Sequence, residues 1–321
     1  MKSRVLCALV GLLWFTLGFA AKDYPDKPVR VLVPTATGST TDKVARLITP
    51  GLTALFSQQF IVDNRSGADG TLGTELAAKA KPDGYTLVVG RPSTLTIAQY
   101  VHKDVAYDTL RDFVPIGLIS VGPYLFVAHP SVAARTVPEL IALAKTQPGK
   151  LTYASAGNGS TNHLAMELFK NVAGVDLRHV PYKGAPEATA DLVGGQVNIS
   201  MLSIGRLMPY VKTDRLRVLA VTSARRASLL PQVPTLDESG LKGFEASAWF
   251  GLLAPTSTPR LIVTRLAEGL QKVMRQRDSR VQFQRLGLEP ANGEPAELAR
   301  LIRREIEIYG RLAKILRLKM D

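Results

Sequence analysis

The stretch from 29 to 55, VRVLVPTATGSTTDKVARLITPGLTAL, changes its periodicity midway, and that change decides the fold class. Val29 to Val33 is a short apolar run rich in β-branched residues, the mark of a strand buried on both faces. After the turn PTATGSTTD a helix is expected from Asp42, with Val44, Ile48, Leu52 and Leu55 on one face. Pro50 falls inside that helix. An interior proline removes a backbone bond and costs about 3 kcal/mol, so a kink or a pair of short helices is expected there.

The strand, glycine-bearing turn and helix recur along the chain. Phe60 to Val62 reads as a second strand, Gly67 to Gly73 turns into a helix carrying Leu72 and Leu76, and Thr86 to Val89 is a third strand. Leu151 to Ala154 leads through SAGNGSTN into a helix from His163 to Val172, followed by a strand at Leu177 to Val180 and the turn PYKGAPE. Val197 to Met201 and Leu216 to Val221 are further strand candidates. This alternation specifies an α/β protein with helix-covered sheets.

Tyr124 to Ala128 and Trp249 to Leu253 are each followed by a proline-bearing turn and a long helix, and they read as paired crossover strands. The expected organisation is therefore a discontinuous first domain, residues 21–124 with 249–321, interrupted by a second α/β domain at 125–248. Ligands of open α/β sheets lie outside the carboxyl ends of the strands, so two such domains place their loops across one cleft. The C-terminal segment puts Leu298, Leu301, Ile302, Ile306, Leu312, Ile315 and Leu316 largely on one face, as in a domain-covering helix with a basic, solvated back.

A chain of 321 residues suits two domains, and 46% hydrophobic with 21% charged residues excludes a disordered chain. Lys2 and Arg4 precede an apolar run from Val5 to Phe19 that ends in Gly18-Phe19-Ala20, so residues 1–20 are read as a cleaved signal peptide and the mature protein as secreted. The single cysteine, Cys7, lies in that segment, which leaves the mature chain without disulfides, thiolate metal sites or cysteine nucleophiles. Removing Lys2 and Arg4 lowers the lysine and arginine count from 40 to 38 against 27 acids, a net charge of +11. In a compartment without nucleic acid, such a charge favours an anionic small molecule as partner.

Gly38, Ser39, Thr40 and Thr41 end the first strand and open a helix, where unpaired amides and the helix dipole favour an anion such as a carboxylate. No Gly-Lys-Ser/Thr follows, so this is not a P-loop, and the glycine spacing is not that of a dinucleotide site. Ser155 to Asn162 repeats the chemistry in the second domain, with Gly157 and Gly159 freeing the backbone and Ser160 or Thr161 capping the helix. Ser160 beside His163 admits an alternative, a secreted serine-dependent hydrolase, although no G-x-S-x-G elbow occurs. The four histidines, His102, His129, His163 and His179, are scattered without an HExxH pair, so no zinc site is expected.

Several segments together resemble the extracytoplasmic solute receptors of tripartite tricarboxylate transporters, the Bug proteins: YPDKPVRVLVP, GTLGTELAAKAKPDGYTLVVG, YDTLRDFVPIGLI, ELIALAKTQPGKLTYASAGNGSTNHLAMELF, HVPYKGAPEATADLVGGQV, LRVLAVTSARRASLLPQVPTLDESG and ASAWFGLLAPTSTP. The resemblance implies a two-domain periplasmic binding protein fold of type II, a Venus flytrap with its ligand cleft between domains. It also implies a monomer without catalysis or cofactor that delivers a small carboxylate to inner-membrane transporter subunits or to a sensor kinase. By position, it implies first-domain contacts from Thr35, Ala36, Thr37, Gly38, Ser39, Thr40 and Thr41, and from Arg91, Pro92, Ser93 and Thr94. Second-domain contacts would come from Ser155, Ala156, Gly157, Asn158, Ser160, Thr161 and His163, and from Lys183, Gly184 and Ala185.

This chain departs from the family pattern at three places. PTATGSTTD stands where PFPPGG is usual, ISMLSIG places Ser203 where an aspartate-bearing MFDN is common, and Arg91 occupies a loop usually small and uncharged. Losing an aspartate removes a partner for a ligand ammonium, while an arginine adds a fork suited to carboxylate. The expected ligand is a di- or tricarboxylate, or an aromatic carboxylate, without an amino group.

Overall fold

Ser39 decides where the first helix starts. Its backbone is extended and its Oγ accepts the Asp42 N–H, so the helix opens at Thr40, two residues ahead of the expected Asp42. The computed structural model describes residues 24–316, and the signal peptide expected at 1–20 lies outside the described residues.

In chain order the first half contains β1 (Val29–Val33), α1 (Thr40–Phe56), β2 (Phe60–Asn64), α2 (Thr71–Ala78), β3 (Thr86–Gly90), α3 (Ala98–Val101), α4 (Thr109–Asp112) and β4 (Phe113–Ala128). Then follow α5 (Val137–Thr146), β5 (Thr152–Ser155), α6 (Thr161–Ala173), β6 (Arg178–Pro181), α7 (Ala185–Val193), β7 (Ile199–Ser203), α8 (Ile204–Val211) and β8 (Arg217–Val221). The chain returns through β9 (Ser247–Pro255) and finishes with α9 (Arg260–Arg275), α10 (Arg277–Arg285), β10 (Glu289–Pro290) and α11 (Pro295–Leu316). The strands lie in the order β2-β1-β3-β9-β4-β7-β5-β6, with β8 and β10 also pairing to β4.

The sheet is mixed. Pairs among β1, β2 and β3, and among β5, β6 and β7, are parallel, whereas β9 and β4 run antiparallel to each other and to their other neighbours. β4 is hydrogen-bonded to β9 from Phe113 to Pro123 and to β7 from Tyr124 to Ala128, so one strand passes from the first half into the second. Alternation sorts side chains between the faces. Val31 and Val33 pack on Val44, Ile48 and Leu52 of α1, while Leu32 joins Trp249, Leu298 and Ile302 on the opposite face. In the second half Phe126, Tyr153 and Met201 face Phe169, and Leu125, Val127 and Leu202 face Leu192 and Leu207.

One expectation about Pro50 and three about buried faces need correction. α1 runs as one helix through Pro50, whose ring is exposed, because Ile48 and Leu52 on either side remain anchored in the same core. Leu55 is exposed and Phe56 packs in its place. Leu72 and Leu76 of α2 are also exposed; the buried face there is Gly73, Thr74 and Ala77, since the helix backbone lies almost against the β1 turn. In α11, Tyr309 is buried with Leu298, Ile302 and Leu312, while Ile315 points outward. Among the described residues no helix is long and apolar enough to cross a membrane, and no cluster of His, Cys, Asp or Glu could hold a metal ion.

Candidate functional site

The first polar loop is built around Asp42. Its buried carboxylate accepts the Gly38 N–H at 2.9 Å, Arg46 Nε at 3.0 Å and Asn64 Nδ2 at 3.1 Å, and Asn64 also donates to the Thr35 carbonyl at 3.0 Å. Burial by itself would raise the Asp42 pKa, but Arg46, the Gly38 amide and Asn64 outweigh it and hold the carboxyl below its ordinary range. Thr35 and Ser39 hydroxyls lie 2.6 Å apart. The loop is thus pinned from behind, with its hydroxyls and the first amides of α1 toward the cleft.

The second loop is held by its own hydroxyls. The single Ser160 hydroxyl proton has two acceptors in reach, the Gly157 carbonyl at 2.6 Å and Asn162 Oδ1 at 2.9 Å, and Ser160 Oγ accepts the His163 N–H at the start of α6. Gly157 and Gly159 have φ of +122° and +74°, a left-handed course that β-carbon-bearing residues resist. Beneath the loop, His163 stacks on His179 at 4.1 Å between ring centroids, and His179 stacks on Tyr153 at 4.7 Å.

These two loops border one cavity of about 460 Å³. Its lining includes Thr35, Ser39, Thr40 and Thr41 of the first loop, Ala156, Ser160 and Thr161 of the second, and Arg91, Pro92 and Ser93 between them. Ala185 and Ser203 complete the set of expected residues that reach it. The crossover strands form its floor with Tyr124, Ala248 and Phe250, and the turn after α10 closes one side with Leu286, Gly287 and Leu288.

The remaining expected residues do not line this cavity. Ala36, Thr37 and Gly38 form the exposed outer tip of their loop, where Thr37 bonds to Asn64. Thr94 is buried inside the first half, its hydroxyl on the Arg91 carbonyl at 3.2 Å. Ser155 Oγ turns away to His179 Nε2 at 2.6 Å, Gly157 is tied back through its carbonyl to Ser160, and Asn158 is exposed. His163 is buried below the loop, where Nδ1 accepts the Gly159 N–H at 3.1 Å. Lys183 is exposed outside the lip, and Gly184 supplies the extended backbone that starts α7. Ser160 and the His163 ring share no bond, so the serine–histidine pair on which the hydrolase alternative rested is not formed; Ser155 and His179 do pair, but Ser155 does not line the cavity.

Asp69 and Arg206 were not foreseen and do line the cavity, as does Asn162, which ends the expected second loop but was not among the expected contacts. Arg91 donates to the Asp69 carbonyl at 3.0 Å and to its carboxylate at 3.1 Å, so part of the fork expected to be free is already engaged. Three residues that line the cavity each keep a buried side-chain atom without a partner among the described residues: Arg91 Nε, Ser93 Oγ and Asn162 Nδ2. Buried polar atoms of this kind cost about 1–3 kcal/mol each when unmet, so these three lining residues carry unspent hydrogen-bonding capacity.

The stacked histidines make the second loop pH-sensitive. His179 is held down to about 4 by burial and then by the adjoining His163; Glu167 opposes this and Lys170 adds to it. His163 is lowered mainly by burial. The unfolded chain protonates near 6.5 and the folded one only near 4, so this stability is present above about 6.5 and lost as pH falls towards 4. Allowing for the solvent screening of a half-exposed ring, about 1–2 kcal/mol is at stake. Thermal melts of the parent should drop over that window, and His179→Gln should flatten the drop; parallel pH profiles would contradict this.

Two lobes sharing crossover strands, with polar loops from both facing one cavity, define a type II periplasmic binding protein of the Venus flytrap class. A family model described as "Tripartite tricarboxylate transporter family receptor" matches residues 44–318, and the chain belongs to that family. It is 32% identical to the protein BugT of Bordetella pertussis over 312 residues, covering 96% of each chain. Among solved structures it resembles R. palustris Rpa4515 with adipate, at 35% identity and a TM-score of 0.75, covering 91% of this chain and 97% of that one. It also resembles MatC of Rhodopseudomonas palustris with bound malate, at 33% identity and a TM-score of 0.71, covering 90% of this chain and all of that one. Membership in a receptor family makes the chain a binding protein rather than an enzyme.

Proposed function

We propose that this chain is a periplasmic receptor, exported by cleavage of residues 1–20, that closes around a small carboxylate without an amino group. A di- or tricarboxylate or an aromatic carboxylate suits it best. The observation that carries this reading is the cleft's inventory of donors. Arg91, Ser93 and Asn162, each with a buried unpartnered side-chain atom, line one cavity with the N-termini of α1 and α6. Two arginines, Arg91 and Arg206, face it against one acid, Asp69, so the excess charge is positive. Adipate and malate in related receptors support the same ligand class.

The partner change within β4 at Pro123 and Tyr124, and the start of β9 at Ser247, support lobes of 21–124 with 249–321 and of 125–248. The receptor acts as a monomer and hands its ligand to inner-membrane transporter subunits or to a sensor kinase. Isothermal titration against di- and tricarboxylates, aromatic acids and amino acids tests the reading. A diacid should bind, and Arg91→Ala should weaken it about tenfold, the worth of one charge-assisted bond. Tight binding of glutamate with no response to any simple dicarboxylate would overturn it.

A further inference from the structure

The cleft does not end at the cavity that the two loops enclose. A second cavity of about 420 Å³ adjoins it, sharing Thr40, Ser203, Arg206 and Leu286 as common walls. This annex lies between α1 of one lobe, which contributes Lys43, and α7 and α8 of the other, which contribute Thr189, Arg206 and Tyr210. No acidic side chain borders it among the described residues. Neither Lys43 nor Arg206 has an ion-pair or hydrogen-bonding side-chain partner among the described residues, although other basic groups nearby do, Arg46 on Asp42 among them.

Two unpaired cations, one from each lobe, across an uncharged gap make an anion subsite that is complete only when both lobes flank it. Ser203 stands at the shared wall with a small side chain, so nothing bulky separates the annex from the inner cavity at that position. Building on the carboxylate reading of the inner cavity, we infer that the annex holds a second acidic group of the same ligand. The receptor therefore selects elongated diacids, with one carboxylate among the loop donors and the other between Lys43 and Arg206. Because Lys43 and Arg206 belong to opposite lobes, the distal carboxylate also favours the closed arrangement.

Lys43 borders the annex and not the inner cavity, so it separates the two sites experimentally. Isothermal titration should compare octanedioate with octanoate on the parent and on Lys43→Gln, an exposed position where folding is undisturbed. The parent should bind octanedioate about tenfold or more tighter than octanoate; Lys43→Gln should remove most of that gap and leave octanoate within about twofold. Equal loss for both acids would mean a diffuse field effect, and no loss for either would mean an idle lysine; each overturns the inference while leaving the carboxylate reading intact. Failure of every carboxylate to bind the parent overturns both readings. If sulfate raises octanoate affinity to the level of octanedioate, the annex takes a free anion, and the assignment to a single long ligand falls.

Discussion

Glu305→Gln is expected to make the protein slightly less stable at pH 5 and clearly more stable at pH 9. The carboxyl is buried where α11 crosses the sheet, with Trp249 Nε1 and Thr96 Oγ1 each 2.8 Å from its Oε2. The Thr96 hydroxyl also lies 3.1 Å from the Pro92 carbonyl and has only one proton, so it satisfies both contacts only if Glu305 carries a proton of its own. Burial pushes the Glu305 pKa up to about 8, against the partial relief from Trp249 and Thr96. The unfolded chain releases this proton near 4.5. Stability from the protonated form is therefore complete below about 4.5 and disappears as pH rises through 8. The full window corresponds to at most about 5 kcal/mol, while an amide at this position forfeits one bond worth about 1 kcal/mol. Melting curves of parent and variant should cross between pH 5 and 9; curves that stay parallel would mean the carboxyl is ionised throughout.

The second large effect belongs to Gly73→Ala. A β-carbon there would stand 2.4 Å from the Arg65 carbonyl oxygen and 2.9 Å from the Pro34 α-carbon, both backbone atoms that cannot swing aside. Overpacking of this severity costs about 3 kcal/mol or more, and relief requires α2 to move away from the turn that carries Thr35 to Thr41. Loss of several degrees in melting temperature together with weakened ligand binding is the expected result. Unchanged stability would show that α2 is loosely seated.

Gly73 also explains what a reading of the sequence can and cannot reach. Patterns of large apolar residues locate strands well: Val29–Val33 is recovered to the residue, and the glycine-bearing turns that follow β1 and β5 carry both loops of the cleft. The same patterns mislead wherever a close approach replaces side-chain packing, as on α2, whose leucines point outward while Gly73 and Ala77 form the contact. In α11 a carboxyl and a phenol, Glu305 and Tyr309, occupy core positions that a search for aliphatic periodicity passes over. Of the cleft, the hydroxyls next to helix starts were legible because capping and anion binding use the same groups. Arg206 had a faint signal, three residues beyond Ser203 at a helix entrance. Gly287 and Leu288 had none, because only the tertiary fold brings the turn after α10 to the cavity.

β4 connects the halves without interruption, bonded to β9 up to Pro123 and to β7 from Tyr124 onward. Rotation of one lobe against the other therefore has to be absorbed as extra winding of a strand that already carries the natural right-handed twist of a sheet. In mechanical terms the link behaves as a torsion spring, where a flexible loop would behave as a free pivot.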